Sequence, residues 1–162
     1  MNSPYPAIGD PRLILSEDGL DAALETFLLA EASLWETVDE RLARQTLGRG
    51  HYRAAFLLKR RPGLGVKELA RLTGLTKQAA SRALKELIEA GLAVASPGDL
   101  DARRRPTRLT PAGEAFEAAV STDLRARFAT AYREGGIDAA PGARRILAAL
   151  AGPRAVRRAD QA

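Results

Sequence analysis

Polar side chains suited to nucleic acid follow one face of a predicted helix over residues 77–90. This contact face carries Lys77, Gln78, Ala79, Ser81, Arg82 and Lys85. Glutamine and arginine pair bidentately with adenine and guanine edges in the major groove, whereas lysine and serine suit phosphate oxygens. The small Ala79 would let such a helix approach the bases closely. The pattern therefore indicates a helix that contacts double-stranded DNA.

A short helix and a tight turn position this face. The sequence predicts helices over Val66–Thr73 and 77–90, with Gly74 in the turn, Thr76 as the N-cap of the second helix and Gly91 at its end. The apolar residues Ala80, Ala83, Leu84 and Leu87 form the side opposite the contact face and can pack on Leu69, Leu72 and Leu75. Two helices in this arrangement are typical of a helix-turn-helix. The alternative is a helical hairpin whose polar face is only solvated.

A basic loop follows the two helices. Strands are predicted at 92–96 and 107–109, and the loop between them contains Asp101, Ala102, Arg103, Arg104 and Arg105. Arginines at a hairpin tip suit a phosphate backbone or a narrow minor groove, although a solvated loop is the alternative. A helix-turn-helix followed by a basic hairpin is a winged helix. The predicted fold class is therefore all-α with a small β-hairpin wing.

The remaining predicted elements flank this winged helix. They are a loose arm over 1–15, helices over 17–46, 50–61, 111–133 and 141–151, and a basic tail over 152–162. The helix over 17–46 would be ~45 Å long at a rise of 1.5 Å per residue. Its apolar stripe is too long for one small core. We therefore expect part of it to pack on something other than this core.

Charge is divided unevenly along the chain, whose net charge is +5. Residues 1–47 hold three basic and nine acidic side chains, net −6, and residues 114–162 hold eight basic and six acidic, net +2. The middle, residues 48–113, holds fourteen basic and five acidic side chains, net +9. A basic middle between these flanks favours a polyanionic partner.

The residue inventory excludes several classes of site. The 162 residues include no cysteine and one histidine, His51, which excludes disulfides, thiol chemistry and metal sites with several His ligands. The sequence has no glycine-rich phosphate loop, nucleophile elbow or cluster of metal ligands, so we predict no enzymatic activity, cofactor or metal. It also lacks an apolar stretch of about 18 residues and a signal-peptide pattern, so we expect a cytoplasmic protein without a membrane partner.

Several motifs of the chain resemble the MarR family of bacterial transcription regulators. The resemblance rests on Val66-Lys67-Glu68-Leu69-Ala70, Leu75-Thr76-Lys77-Gln78, Leu87, Gly91-Leu92 and a wing motif. That motif reads Asp-x-Arg, followed six residues later by Leu-Thr and then x-x-Gly, and here consists of Asp101, Arg103, Leu109, Thr110 and Gly113. Ala102 stands where the family usually has a basic residue, and Arg104 and Arg105 follow it.

The resemblance implies a sequence-specific regulator, with repression as the expected activity. Its homodimer would be built from helices in 16–47 and 111–151, and residues 48–110 would form the DNA-binding domain. The two contact faces would enter successive major grooves of a pseudo-palindromic operator. Arg103, oriented by Asp101, would enter the minor groove. The alternative is an architectural DNA-binding protein without sequence preference or effector, whose affinity depends on phosphates alone.

Many members of the family bind small, often aromatic, anions between the dimer helices and the winged helix. The candidate lining of such an effector site here is Trp35, Arg49, His51, Tyr52 and Phe56. Four of these residues also have a simpler explanation. A tryptophan on a long helix and a lone histidine are more often structural, and Arg49 and Tyr52 would equally suit phosphate contacts.

Overall fold

A computed structural model describes residues 11–95 and 106–152 of this chain. The helices are α1 (Pro11–Ile14), α2 (Glu17–Ala43), α3 (Arg49–Arg60), α4 (Val66–Thr73), α5 (Lys77–Glu89), α6 (Pro111–Gly135) and α7 (Ala140–Ala151), and the strands are β1 (Ala93–Ala95) and β2 (Thr107–Leu109). The predicted fold class, mostly helical with a two-stranded hairpin, is confirmed. Contacts divide the chain into two compact units, one up to Glu36 and one from Thr37.

Two boundaries in the N-terminal third differ from the prediction. The predicted loose arm ends in the short helix α1, which begins with Pro11, a residue whose fixed φ suits the first helical position. Helix α2 ends at Ala43, three residues earlier than predicted, because the amides of Gln45 and Leu47 both turn back to the carbonyl of Leu42. The remaining predicted arm and tail, residues 1–10 and 153–162, lie outside the described residues.

The unit up to Glu36 contains the first five turns of α2. The Ser16 hydroxyl accepts the Gly19 amide at 3.2 Å, which caps the helix where the sequence predicts a start. The apolar stripe that follows is exposed, with 57% of Leu24 and 56% of Leu28 open to solvent. Leu20 and Phe27 on the same stripe are also exposed.

The core of the unit from Thr37 forms around α3. This helix packs against α4, α5 and α6, and its Leu58 is fully buried. The neighbouring elements contribute Val38, Leu42, Leu69, Leu87, Phe116 and Val120 to the buried set. Burial of these apolar side chains fixes α5 against the core on one side and leaves its other side exposed.

The hairpin joins this core at its base. Strands β1 and β2 are antiparallel, with Ala93 opposite Leu109 and Ala95 opposite Thr107. The Thr107 carbonyl also accepts the Gly63 amide at 2.9 Å, so the loop between α3 and α4 lies beside β2. This arrangement ties the base of the hairpin to the loop that leads into α4.

The first turn of α6 approaches the hairpin closely. The Thr110 hydroxyl caps α6 by accepting the Gly113 amide at 3.1 Å, and it donates to the Gly91 carbonyl at 2.7 Å. A Cβ on Gly113 would lie 1.8 Å from the Leu92 carbonyl oxygen. Only glycine allows this approach, which is the physical reason for the Leu-Thr-x-x-Gly spacing.

Candidate nucleic-acid interface

The turn between α4 and α5 sets where the contact face begins. Gly74 ends α4 with a φ of 76°, in the left-handed region that glycine adopts without steric strain. Its amide donates to the Ala70 carbonyl. Thr76 then caps α5, its hydroxyl accepting the Ala79 amide at 3.1 Å. Both local predictions for the helix-turn-helix are confirmed.

The two sides of α5 have opposite character. Ala80, Ala83, Leu84 and Leu87 are buried, as the sequence predicts. On the contact face, Lys77, Gln78, Ser81, Arg82 and Lys85 are exposed and Ala79 is half-buried. Since the buried side packs against the core, the helix presents the exposed donors on its opposite side, where they can reach a ligand.

Two carboxylates lie among the cations of this face. Arg82 donates from Nε to Oε1 of Glu86 at 2.7 Å, and Lys85 lies 3.6 Å from Glu89. The other carboxylate oxygen of Glu86 lies 2.5 Å from Nε2 of His51 on α3. Hydrogen bonds from Arg82 and then His51 hold the pKa of the Glu86 carboxyl below its ordinary value, so it is ionised at neutral pH.

The predicted wing residues Asp101, Arg103, Arg104 and Arg105 lie outside the described residues. What the structure describes is the base that carries them. There β2 exposes Arg108 opposite Val94 of β1.

The five predicted effector residues divide into different surroundings. The Trp35 indole donates to Glu31 at 2.9 Å within the first unit. In the second unit, Arg49 forms a bidentate pair with Asp39, at 2.9 and 2.6 Å, and His51 is bound to Glu86. Tyr52 and Phe56 are brought together, with ring centroids 5.8 Å apart. Trp35, Arg49 and His51 therefore each have a carboxylate partner within the protein, which agrees with a structural role for these three residues.

A buried carboxylate lies next to Tyr52. The Tyr52 hydroxyl is 2.8 Å from the Ser121 hydroxyl, which donates to Glu117 at 2.5 Å. Burial raises the pKa of the Tyr52 hydroxyl above its ordinary value. The Glu117 side chain is only 2% exposed, and its carboxylate also pairs with Lys59 at 2.9 Å and Arg60 at 3.3 Å. The Arg60 guanidinium in turn lies 3.4 Å from the centre of the Phe56 ring.

Comparison with known proteins identifies the family. A sequence model of the MarR family matches residues 45–104. The HTH-type transcriptional regulator PetP of Rhodobacter capsulatus is 35% identical over 145 residues, which cover 90% of this chain and 87% of PetP. The chain belongs to the MarR family.

Solved structures of the MarR family share the fold at lower identity. A regulator from Rhodococcus sp. RHA1 has 18% identity and a TM-score of 0.71 over 85% of this chain and 99% of its own. A Mycobacterium tuberculosis protein in complex with salicylic acid has 24% identity and a TM-score of 0.59 over 83% of this chain and 96% of its own. The predicted MarR resemblance and winged helix are therefore confirmed, and the protein is a transcriptional regulator.

Glu86 and Glu117 of this MarR regulator are site residues that the sequence alone did not indicate. For Glu86 a local signal exists, since Arg82 and Glu86 are four residues apart on one helix face. Its pairing with His51 spans 35 residues and has no local signal. Glu117 resembles an ordinary surface carboxylate in sequence, and only the four-residue spacing to Ser121 suggests a partner.

The described residues offer no metal site and no membrane-spanning helix. Within residues 11–95 and 106–152, no group of three or more His, Asp or Glu side chains is placed to hold a metal ion. Over the same part of the chain, no helix has the length and apolar character needed to cross a bilayer.

Proposed function

We propose that this MarR regulator is a homodimeric repressor that recognises a pseudo-palindromic DNA operator through the contact face of α5. The observation that carries the proposal is that Gln78 and Arg82 are exposed on a helix whose opposite side is fully packed. Gln78 pairs with an adenine edge and Arg82 with a guanine edge in the major groove. Lys77, Ser81, Lys85 and the helix start at Thr76 bind phosphates, and Ala79 permits close approach.

The wing contributes a second set of contacts in this proposal. Arg103 enters the minor groove with Asp101 orienting it, and Arg104 and Arg105 bind the phosphate backbone. Support for these roles comes from the net charge of +9 over residues 48–113 and from the tight joint between the hairpin base and the helix-turn-helix. Basic residues at the tip add affinity for all sequences, because phosphates are the same in every site.

The dimer is formed by the apolar surfaces that the protomer leaves open. In the first unit these are the exposed leucines of α2, among them Leu24 and Leu28. In the second unit they include α7, all of whose residues are described and none of which is buried, although it carries Ile146, Leu147 and Leu150. Apolar patches of this kind are stabilised by burial against a partner. A two-fold dimer places its two contact faces about 34–36 Å apart, one helical turn of DNA.

Release from the operator is proposed to follow binding of a small aromatic anion. The M. tuberculosis relative that binds salicylic acid supports this ligand class. The predicted lining, Trp35, Arg49, His51, Tyr52 and Phe56, remains a prediction. Salicylate titrated into the complex of protein and operator should lower its fluorescence anisotropy. Unchanged anisotropy at millimolar salicylate would contradict this class of effector.

Substitutions on the contact face and the wing test the recognition mechanism. Gln78→Ala should cost roughly 1–3 kcal/mol on the operator and relax preference at one base position. Arg104→Ala should instead weaken all sequences about equally and lower the salt slope by about one unit. If Gln78→Ala and Arg82→Ala each weaken random and operator duplexes to the same extent, α5 does not discriminate between bases. The protein would then be an architectural DNA-binding protein.

A further inference from the structure

The Arg82 guanidinium on the contact face is held by a neighbouring carboxylate. Arg82 is the side chain with the chemistry to recognise guanine, and 79% of it is exposed. Its Nε nevertheless donates to Oε1 of Glu86 at 2.7 Å. Among the residues that the structure describes, Glu86 is the partner of this guanidinium. An exposed pair four residues apart on a helix would ordinarily contribute little.

The Glu86 carboxylate, however, is itself fixed from a second helix. Its Oε2 lies 2.5 Å from Nε2 of His51, whose side chain is 15% exposed. The Gly48 amide donates to Nδ1 of His51 at 2.9 Å. A backbone amide is only a donor, so Nδ1 carries no proton and the neutral imidazole has its proton on Nε2, which it donates to Glu86. The start of α3 therefore determines the orientation of the carboxylate that holds Arg82.

We propose that Glu86 is a positioning residue that orders Arg82 for a guanine before DNA arrives. The inference rests on the proposed function, in which α5 enters the major groove. Pairing at Nε leaves the two terminal nitrogens of Arg82 for the O6 and N7 acceptors of guanine. An arginine side chain loses much rotamer freedom when it binds DNA, which costs free energy. Because Glu86 already restrains Arg82 in the free protein, less of this entropy is lost on binding.

The placement of a negative charge on this face has an opposing effect. Glu86 carries its charge on a face that meets phosphates, so it weakens binding to every sequence. Because this cost falls on every sequence alike, the contribution that we assign to Glu86 is to discrimination between sequences and not to affinity. The alternative is that Glu86 withholds Arg82 from DNA. In that case Glu86→Gln would increase the preference for guanine, whereas loss of a positioning residue would decrease it.

Glu89→Gln provides a matched control for Glu86→Gln. Both substitutions remove one negative charge from α5, but Glu89 pairs with Lys85 and not with Arg82. The experiment measures dissociation constants for a selected operator duplex, for the same duplex with adenine in place of the guanine recognised by Arg82, and for random duplex. Arg82→Ala identifies that guanine. Thermal melts show whether each variant is folded.

The expected result is a different pattern in each variant. Both Glu→Gln substitutions tighten binding to random duplex, because each removes a repulsive charge. Of the two, only Glu86→Gln lowers the preference for guanine over adenine. The expected decrease is about 2- to 10-fold, because Arg82 is then no longer ordered before it binds. His51→Asn lowers it in the same direction, since an asparagine retains an acceptor for the Gly48 amide but does not reach Glu86.

Three results would overturn the inference, and they separate it from the proposed function. If Arg82→Ala leaves every base preference unchanged, Arg82 recognises no base, and the positioning role fails together with the guanine contact that the proposed function assigns to Arg82. If Arg82→Ala abolishes the guanine preference but Glu86→Gln leaves it intact, only the positioning role fails. If Glu86→Gln increases the guanine preference, Glu86 withholds Arg82 instead of ordering it.

Discussion

The Lys59 ammonium lies 2.9 Å from the buried carboxylate of Glu117, which joins the last turn of α3 to the second turn of α6. Arg60 and Ser121 bind the same carboxylate. Burial raises the pKa of the Glu117 carboxyl, but hydrogen bonds from Ser121, Lys59 and Arg60 outweigh that effect and lower the pKa below its ordinary value. This carboxylate therefore remains charged and links the DNA-binding core to a long flanking helix.

Glu117→Gln should destabilise the protein, because it removes the partner of two cations that stay in place. Hydrogen bonds to charged groups contribute roughly 1.5–3 kcal/mol, and Lys59 and Arg60 are partly hydrated, so we expect a loss of about 1–3 kcal/mol. Urea denaturation at fixed protein concentration measures it. Glu134→Gln, on the exposed surface of the same helix, should change stability by less than about 0.5 kcal/mol. Equal stabilities of the two variants would show that the buried pairing contributes nothing.

The contribution of Glu117 should depend on pH with a defined sign. Because the folded-state pKa lies below the unfolded value near 4.5, the folded protein binds fewer protons between the two values, and its stability rises with pH there. The stability is fully present above pH 4.5 and is lost as pH falls through the folded pKa. Wild type and Glu117→Gln should therefore differ at pH 7 and converge at low pH. A difference that grows on acidification would contradict the assignment.

Gly113→Ala should disrupt the joint between α6 and the hairpin. The added Cβ would meet the Leu92 carbonyl oxygen at 1.8 Å, and backbone atoms cannot move aside at low cost. We expect a loss of about 1–3 kcal/mol, typical of overpacking, observed as a lower melting temperature. Gly142→Ala is the control, since a Cβ at that helical position meets nothing within 4 Å. It should not lower the melting temperature, because alanine is a better helix former than glycine.

Leu24→Asp or Leu28→Asp should dissociate the proposed dimer, because burying an unpaired carboxylate in an apolar interface is costly. Sedimentation equilibrium would show the monomer mass. Thr26→Asp introduces the same charge on the opposite side of α2 and should leave the dimer intact. A Leu24→Asp protein that sediments as the wild-type dimer would remove this stripe from the interface.

Much of the fold could be predicted because its signals are local. Thr76 and Thr110 are caps with the right residues around them, and both helices begin where predicted. The alternation of buried and exposed residues along α5 follows from the helical period and the position of its four apolar side chains. The wing could be placed from the spacing between strands, although its tip lies outside the described residues.

The polar pairings between different helices could not be predicted, because each joins residues that are not neighbours on one helical turn. His51 and Glu86 lie on different helices, and nothing local distinguishes this histidine from one that lines a ligand cleft. Arg49 is bound by Asp39 in the same way. Glu117 is both charged and buried. Hydrophobic patterning would place a glutamate on the surface, because this residue type is rarely buried. Packing, and not composition, decides which charged groups are buried.

Selection of bound duplexes from a random DNA pool, repeated at two salt concentrations, tests the central claim most directly. A dimer that recognises bases through α5 should enrich a pseudo-palindrome with half-sites about ten base pairs apart. The same sequence should be recovered at both salt concentrations, because base contacts persist when phosphate contacts weaken. Recovery of no preferred sequence, with binding that collapses as salt rises, would contradict sequence-specific recognition by this protein.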